Sequence, residues 1–334
     1  MTQPTLRLLS VLAAATGALV LAAGCSSEGG KKAESSTAAG SSAASCDNPS
    51  LTVAVVSHGK QGDAFWDVVK RGAEDAGKQL CVKVTYQGQG DPNQQAQAID
   101  NAVAQKVNGL VVSMANPDAL KGSIQKAVAA GIPVITINSG QSRSKELGAL
   151  THVGQAERTA GEGAGEQLAK AGVHNLLCVI HEAGNVALEE RCAGATATLG
   201  GRSQNLQVDV SDLNGAAATI QSTLQADTAI DGILTLNSGV GNAAVTAVKG
   251  AGSSAKIATF DVNADVIKAV KDGSLLFAVD QQPYTQGYLP VTFLKLYADN
   301  ANVIGGGQPV LTGPSFVTKD NAATVEKYAA RGTR

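Results

Sequence analysis

Aromatic residues are scarce in this sequence. Its 334 residues include one tryptophan, five tyrosines and five phenylalanines, so the few places where rings cluster carry information. A surplus of one charge is also missing: 26 Lys and Arg stand against 28 Asp and Glu, a formal net charge of -2. Coating a phosphate backbone needs a basic excess, and its absence argues against a nucleic-acid binder. No Cys-x-x-Cys pair and no His-x-x-x-His pair gives the short spacing of converging zinc ligands. There is no Gly-x-Ser-x-Gly elbow, and no Gly-x-Gly-x-x-Gly loop follows the first strand to cradle a phosphate. Gly161, Gly163 and Gly165 alternate, but they fall inside a helical pattern and lack the strand-turn context of a nucleotide fingerprint. Asp63, Asp261 and Glu182 with His181 are the acids and bases that an enzyme would use. Nothing else supports catalysis, and the chain reads as a non-enzyme without cofactor or metal.

What is present begins with an export segment. Arg7 precedes an apolar run over residues 8–23, short for a bilayer-spanning helix of about 20 residues and suited to a secretory signal. Its exit, Leu21-Ala22-Ala23-Gly24-Cys25, resembles the bacterial lipoprotein signal, in which the cysteine becomes the lipidated first residue. Leu21 stands one place earlier than the usual large aliphatic residue, and an ordinary signal peptide cleaved elsewhere is the alternative. Residues 26–45 are nearly all Ser, Ala, Gly, Lys, Glu and Thr, a composition that cannot bury a core and reads as a tether. The expectation is a signal over 1–24, a tether over 25–50, and a folded part held by a lipid on Cys25 at the extracytoplasmic face of the cell membrane. Cys46, Cys81, Cys178 and Cys192 remain, an even number in an exported chain. Of the three possible pairings, their clustering favours Cys46 with Cys81 and Cys178 with Cys192.

From Leu51 the chain repeats one unit, a short β-branched apolar run followed by a helical pattern. Strands are expected over 52–56, 82–86, 109–113 and 134–137, with helices over 65–79, 92–106 and 117–130 between them. The alternation then restarts, with strands over 150–153, 176–180, 204–208, 232–236, 256–260 and 275–279, a long helix over 284–298, a final run over 310–317 and a last helix over 322–330. Near-continuous apolar strands alternating with helices specify parallel sheets covered on both faces. The fold class is α/β, with two successive doubly wound parallel-sheet lobes.

Ligands of open parallel sheets bind beyond the carboxyl ends of the strands. There the sequence gathers Asp63 with Phe65 and Trp66 after the first strand, Asn116 after the third, and Asn138-Ser139 after the fourth. The second half supplies His181-Glu182-Ala183-Gly184-Asn185, Asn237, Phe260-Asp261 and Gln281. Rings suit the C–H faces of a pyranose or polyol, and amides and carboxylates match its hydroxyls. Core filling by Phe65 and Trp66 and helix capping by Asn116 are the plainer readings of those residues.

These pieces in this order resemble the type I periplasmic solute-binding proteins of ABC transporters, in their ribose-binding branch. The resemblance rests on Thr52-Val53-Ala54-Val55-Val56 before Asp63-Ala64-Phe65-Trp66, Gly109-Leu110-Val111-Val112 before Asn116, and Ala130-Gly131-Ile132-Pro133-Val134 before Asn138-Ser139. It continues through Glu190-Arg191, Leu236-Asn237, Thr259-Phe260-Asp261 and Gln281-Gln282-Pro283 with Gly287. It implies two lobes, 51–154 with 282–309 and 155–281 with 310–334, joined by a three-strand hinge with crossings near Gln155, residues 281–283 and residues 305–309, and a solute held between them by Asp63, Phe65, Trp66, Asn116, Asn138, Ser139, Gln155, Arg191, Asn237, Phe260, Asp261 and Gln281. Asn138-Ser139 replaces a frequent Asp-Arg pair and residues 209–214 lack a phenylalanine, which points from ribose toward another monosaccharide or an open-chain polyol. The implied partners are that small sugar or polyol and the subunits of an ABC permease, with the binding protein itself a monomer. A sensor that reports occupancy to a membrane receptor, or a binder of a non-sugar polar solute, is the alternative. A transcription regulator of similar fold would need a DNA-binding headpiece where this chain has an export segment and tether.

Overall fold

The computed structural model describes residue 46, residues 49–60 and residues 62–334. The expected signal, the expected lipid site at Cys25 and most of the expected tether lie outside the described residues. Cys46–Arg334 forms a compact unit of its own.

Within it are two six-stranded sheets. The first contains β1 (Leu51–Ser57), β2 (Val82–Gly88), β3 (Gly109–Ser113), β4 (Val134–Ile137), β5 (Thr151–Gln155) and β11 (Val310–Gly313), in the order β2-β1-β3-β4-β5-β11 and all parallel. The second contains β6 (Asn175–Ile180), β7 (Arg202–Gln207), β8 (Gly232–Thr235), β9 (Lys256–Phe260), β10 (Phe277–Asp280) and β12 (Ser315–Thr318). Its order is β7-β6-β8-β9-β10-β12, with only β12 antiparallel to its neighbour. The two lobes thus repeat one topology, and β6 to β10 stand in the second as β1 to β5 do in the first.

The reason lies in the strands. On β1, Val53 and Val55 join a core with Val69 of α1 (Ala64–Leu80) and Val291 of α10 (Pro283–Asn300), while Ala54 and Val56 join one with Ile99 and Ile124 on the opposite face. On β6, Leu177 and Val179 face one core and Cys178 and Ile180 the other. A strand apolar on both faces is stable only with helices on both.

Three chain crossings join the lobes, and here the sequence-based boundaries need correction. The run over 310–317 is two strands: Val310 pairs with Val153 in the first sheet, and Thr318 pairs with Phe277 in the second. Pro314 breaks it, because a proline has no N–H to give to a ladder and the chain changes sheets there. Val310–Gly313 therefore belongs to the first lobe, and the third crossing falls at Gly313-Pro314, beyond residues 305–309. Gln155 likewise closes β5 in the first sheet, and the first crossing follows it. The second crossing runs through Gln281 and Gln282.

Both disulfides favoured by the cysteine spacing are present. Cys46–Cys81 lies in the first lobe, and Cys178–Cys192 ties β6 to α6 (Val186–Leu199) in the second, with Cα atoms 5.9 Å apart.

Candidate ligand-binding site

The carboxyl ends of the two sheets face each other across a small, tightly closed cavity. The first lobe contributes His58, Asp63, Phe65, Trp66, Asn138 and Ser139. The second contributes His181, Glu182, Asn185, Leu188, Arg191, Leu236, Asn237 and Asp261, and Gln281 enters from the second crossing.

Two of these residues are equivalent. Asn138 follows β4 and Asp261 follows β9, both with left-handed backbones at φ 61° and 68°. Each N–H donates to the neighbouring strand, Asn138 to Val153 O at 3.1 Å and Asp261 to Val279 O at 2.8 Å. Asn and Asp are the non-glycine residues that best tolerate this region, and the turn aims their side chains off the sheet ends. Gln281 joins them across the lobes: Asn138 Nδ2 donates to Gln281 Oε1 at 3.1 Å, and Gln281 Nε2 donates to Asp261 Oδ1 at 2.6 Å. Further bonds hold the lobes closed, from Asn237 Nδ2 to Asp63 Oδ1 at 3.3 Å and from Ser139 Oγ to Asn185 Oδ1 at 3.2 Å.

Asp63 is half-buried and caps α1, its Oδ1 accepting the Phe65 N–H at 3.1 Å. Burial pushes its carboxyl up to about 6, against the hydrogen bonds from Phe65 and Asn237. Burial pushes Asp261 further, to about 7, although Arg191 and Gln281 favour its charged form. Asn263, not Asp261, caps α9 (Ala264–Asp272), so the Asp261 carboxylate is free to face the cavity. Burial also keeps the imidazoles neutral, holding His58 below its ordinary value and His181 down at about 3. His58 Nδ1 lies 2.7 Å from Ser113 Oγ, and its ring meets Trp66 edge-on at 4.7 Å. Phe65 also meets Trp66 edge-on, with ring centroids 5.1 Å apart.

Arg191 is buried beside the cavity, its guanidinium 4.6 Å over the Phe260 ring. Its Nε and Nη2 donate to Glu157 Oε2 and Oε1 at 2.6 and 3.0 Å. Burial alone would lower the guanidinium, but Glu157 outweighs it and holds it above its ordinary value. Gln155 Nε2 donates to Glu157 Oε2 at 2.8 Å. Glu157 and Arg191 sit on α5 (Glu157–Lys170) and α6, which pack backbone to backbone: a Cβ at Gly161 would overlap the Arg191 carbonyl, and one at Gly194 the Arg158 carbonyl.

Of the twelve residues that the sequence nominated, nine line the cavity. Asn116 does not: it is exposed, and its Oδ1 accepts the Ala119 N–H as the cap of α3 (Pro117–Ala129). Gln155 and Phe260 are fully buried behind the wall, one orienting Glu157 and the other lying under Arg191. His58, His181, Glu182, Asn185, Leu188 and Leu236 line it outside those twelve. The sequence places His181, Glu182 and Asn185 at a strand end without giving them a contact, and His58, which follows β1 as residues 181–185 follow its counterpart β6, carries the same signal. Among the described residues, no group of His, Cys, Asp and Glu is arranged to hold a metal ion.

The periplasmic binding protein domain matches residues 53–302, and the chain belongs to that family of two-lobed, non-catalytic solute-binding proteins. The crystal structure of a carbohydrate transporter from Acidothermus cellulolyticus 11B, in complex with myo-inositol, is 44% identical with a TM-score of 0.84, covering 85% of this chain and 99% of that one. The xylose/arabinose-binding protein XylF of Sulfolobus acidocaldarius is 25% identical over 301 residues, 82% of this chain and 73% of XylF. The ribose import binding protein RbsB of Bacillus subtilis is 26% identical over 238 residues, 67% of this chain and 74% of RbsB.

Proposed function

We propose that the chain is the lipid-anchored, extracytoplasmic solute-binding component of an ABC importer, and that it encloses one neutral polyol ring, a cyclitol or a monosaccharide, for delivery to the permease. The observation that carries the ligand class is the wall itself: carboxylates and amides from both lobes converge with Phe65 and Trp66 on one cavity between the lobes. Hydroxyls satisfy such acceptors and amides, and a ring's C–H face packs on indole or phenyl. The myo-inositol complex of the Acidothermus relative supports a cyclitol over the open-chain polyols.

A ligand that touches both lobes favours the closed state, in which Asn138, Gln281 and Asp261 are linked. Closure removes water and gives the permease a shape that the empty protein lacks.

A thermal-shift screen of inositols, pentoses, hexoses and linear polyols tests the ligand class. A ligand at 100 times its Kd adds about 2.7 kcal/mol to the native state. A shift from a cyclitol or one monosaccharide group is expected, and no shift from any polyol would remove this reading. Intact-mass analysis tests the anchor: the mature chain should begin at a diacylated Cys25, and Cys25→Ser should abolish the lipid. Cleavage at any other residue would rule the anchor out.

A further inference from the structure

We infer that the cleft sorts polyols by charge: it takes a neutral ring or one bearing an amino group, and rejects one bearing a carboxylate or phosphate, because Glu157 has already neutralised the one cation that the described residues place in the wall. This rests on the polyol reading and narrows it.

Asp63, Glu182 and Asp261 all face the cavity, and among the described residues Arg191 is the sole cationic side chain lining it. Both prongs of Arg191 are spent on Glu157, at 2.6 and 3.0 Å, and Nη1 leans on Leu236 O at 3.4 Å. Glu157 is fixed in turn by Gln155. His58 and His181 are held neutral by burial and add no charge. Lys60 stands outside the lining, 3.5 Å from Asp209 of the other lobe.

An anionic substituent entering this space loses its water and meets three carboxylates and no uncommitted cation, an arrangement with nothing to offset desolvation. An ammonium in place of one hydroxyl keeps the donors that the carboxylates require and makes those hydrogen bonds charge-assisted. Selectivity of this kind comes from the repulsive groups as much as from the attractive ones. Glu157 stands outside the lining of the cavity. It acts by cancelling Arg191, and is a positioning residue.

Titration calorimetry of the mature chain as purified from cells, at pH 7.5, tests this with four probes: myo-inositol, an aminodeoxy-inositol, glucuronate and inositol 1-phosphate. The expected result is that the amine binds no more than tenfold weaker than myo-inositol while both anions bind at least 30-fold weaker. An anion inside that 30-fold limit, or an amine outside its tenfold limit, would overturn charge sorting and leave the polyol reading intact. No binding by any of the four would overturn the charge sorting, and the polyol reading would fall with it only where the thermal-shift screen also finds no polyol that binds. Glu157→Gln exposes the Arg191 charge and should improve glucuronate relative to myo-inositol at least tenfold. If that variant does not fold, Glu157→Asp, which withdraws one prong, should move the same ratio in the same direction. An unchanged ratio in a folded variant would remove Glu157 from the role.

Discussion

Glu157 and Arg191 lie 34 residues apart in the chain and form a two-pronged ion pair in which both side chains are almost wholly buried, with oxygens 2.6 and 3.0 Å from the guanidinium. A buried pair of this kind is costly to break and cheap to replace, because a lone charge cannot be desolvated whereas an apolar pair needs no water. Replacing Arg191 alone with Met should cost about 3–5 kcal/mol of stability. Replacing both, as Glu157→Leu with Arg191→Met, should restore most of that loss. Urea unfolding of the single and double variants checks it, and additive losses would show that the two charges do not depend on each other.

The elevated carboxyls make stability fall as pH rises. Asp261 is pushed up to about 7 and Asp63 to about 6, both above the unfolded value of about 3.9. Each binds its proton more tightly in the native state, so its contribution is complete below about pH 4 and is lost as pH rises through about 6 and 7. In the ligand-free protein, Asp261→Asn should raise Tm at pH 7.5, change it little at pH 4, and flatten the profile between.

The same carboxylate should matter to the ligand. Asp261→Ala removes a charged acceptor worth about 1.5–3 kcal/mol, and weakening of roughly 10- to 150-fold for the best polyol is expected. Calorimetric titration decides it, and an affinity within threefold of the original would place Asp261 outside the contact set.

Gly161 lets α5 and α6 approach until its hydrogen meets the Arg191 carbonyl. Gly161→Ala should force the helices apart at about 1–3 kcal/mol or more, and should weaken ligand binding because Arg191 rides on α6. Thermal unfolding and titration of one preparation would show both losses together. A loss of stability with unchanged affinity would separate the helix contact from the site.

The Cys178–Cys192 bridge closes a loop of sequence separation 14 next to Arg191. Replacing both cysteines with serine should cost about 3 kcal/mol by chain entropy. Denaturant unfolding in the absence of reductant measures it, and equal stability would show the bridge to be dispensable.

The repeating unit of the fold was legible in the sequence because strands such as Thr52-Val53-Ala54-Val55-Val56 are apolar on both faces, and no other arrangement satisfies them. Strand-end positions were legible for the same reason, and Asp63, Asn138, Asn237 and Asp261 all meet at the cavity. Asn116 shared that local signal and belongs to its helix, since a cap and a ligand contact use the same residue type at the same place.

By itself, the sequence determined the local matters: which segments alternate as strands and helices and which polar residues follow the strands, while cysteine spacing favoured one of three pairings. Only the tertiary structure decided that the run over 310–317 divides between two sheets, that Gln281 ties Asn138 to Asp261, and that Arg191 answers to Glu157. Those relations depend on how two helices or two lobes come to rest against each other. Period and spacing record only what a residue needs from its own element, whereas a charge buried at such a contact takes its partner from the packing.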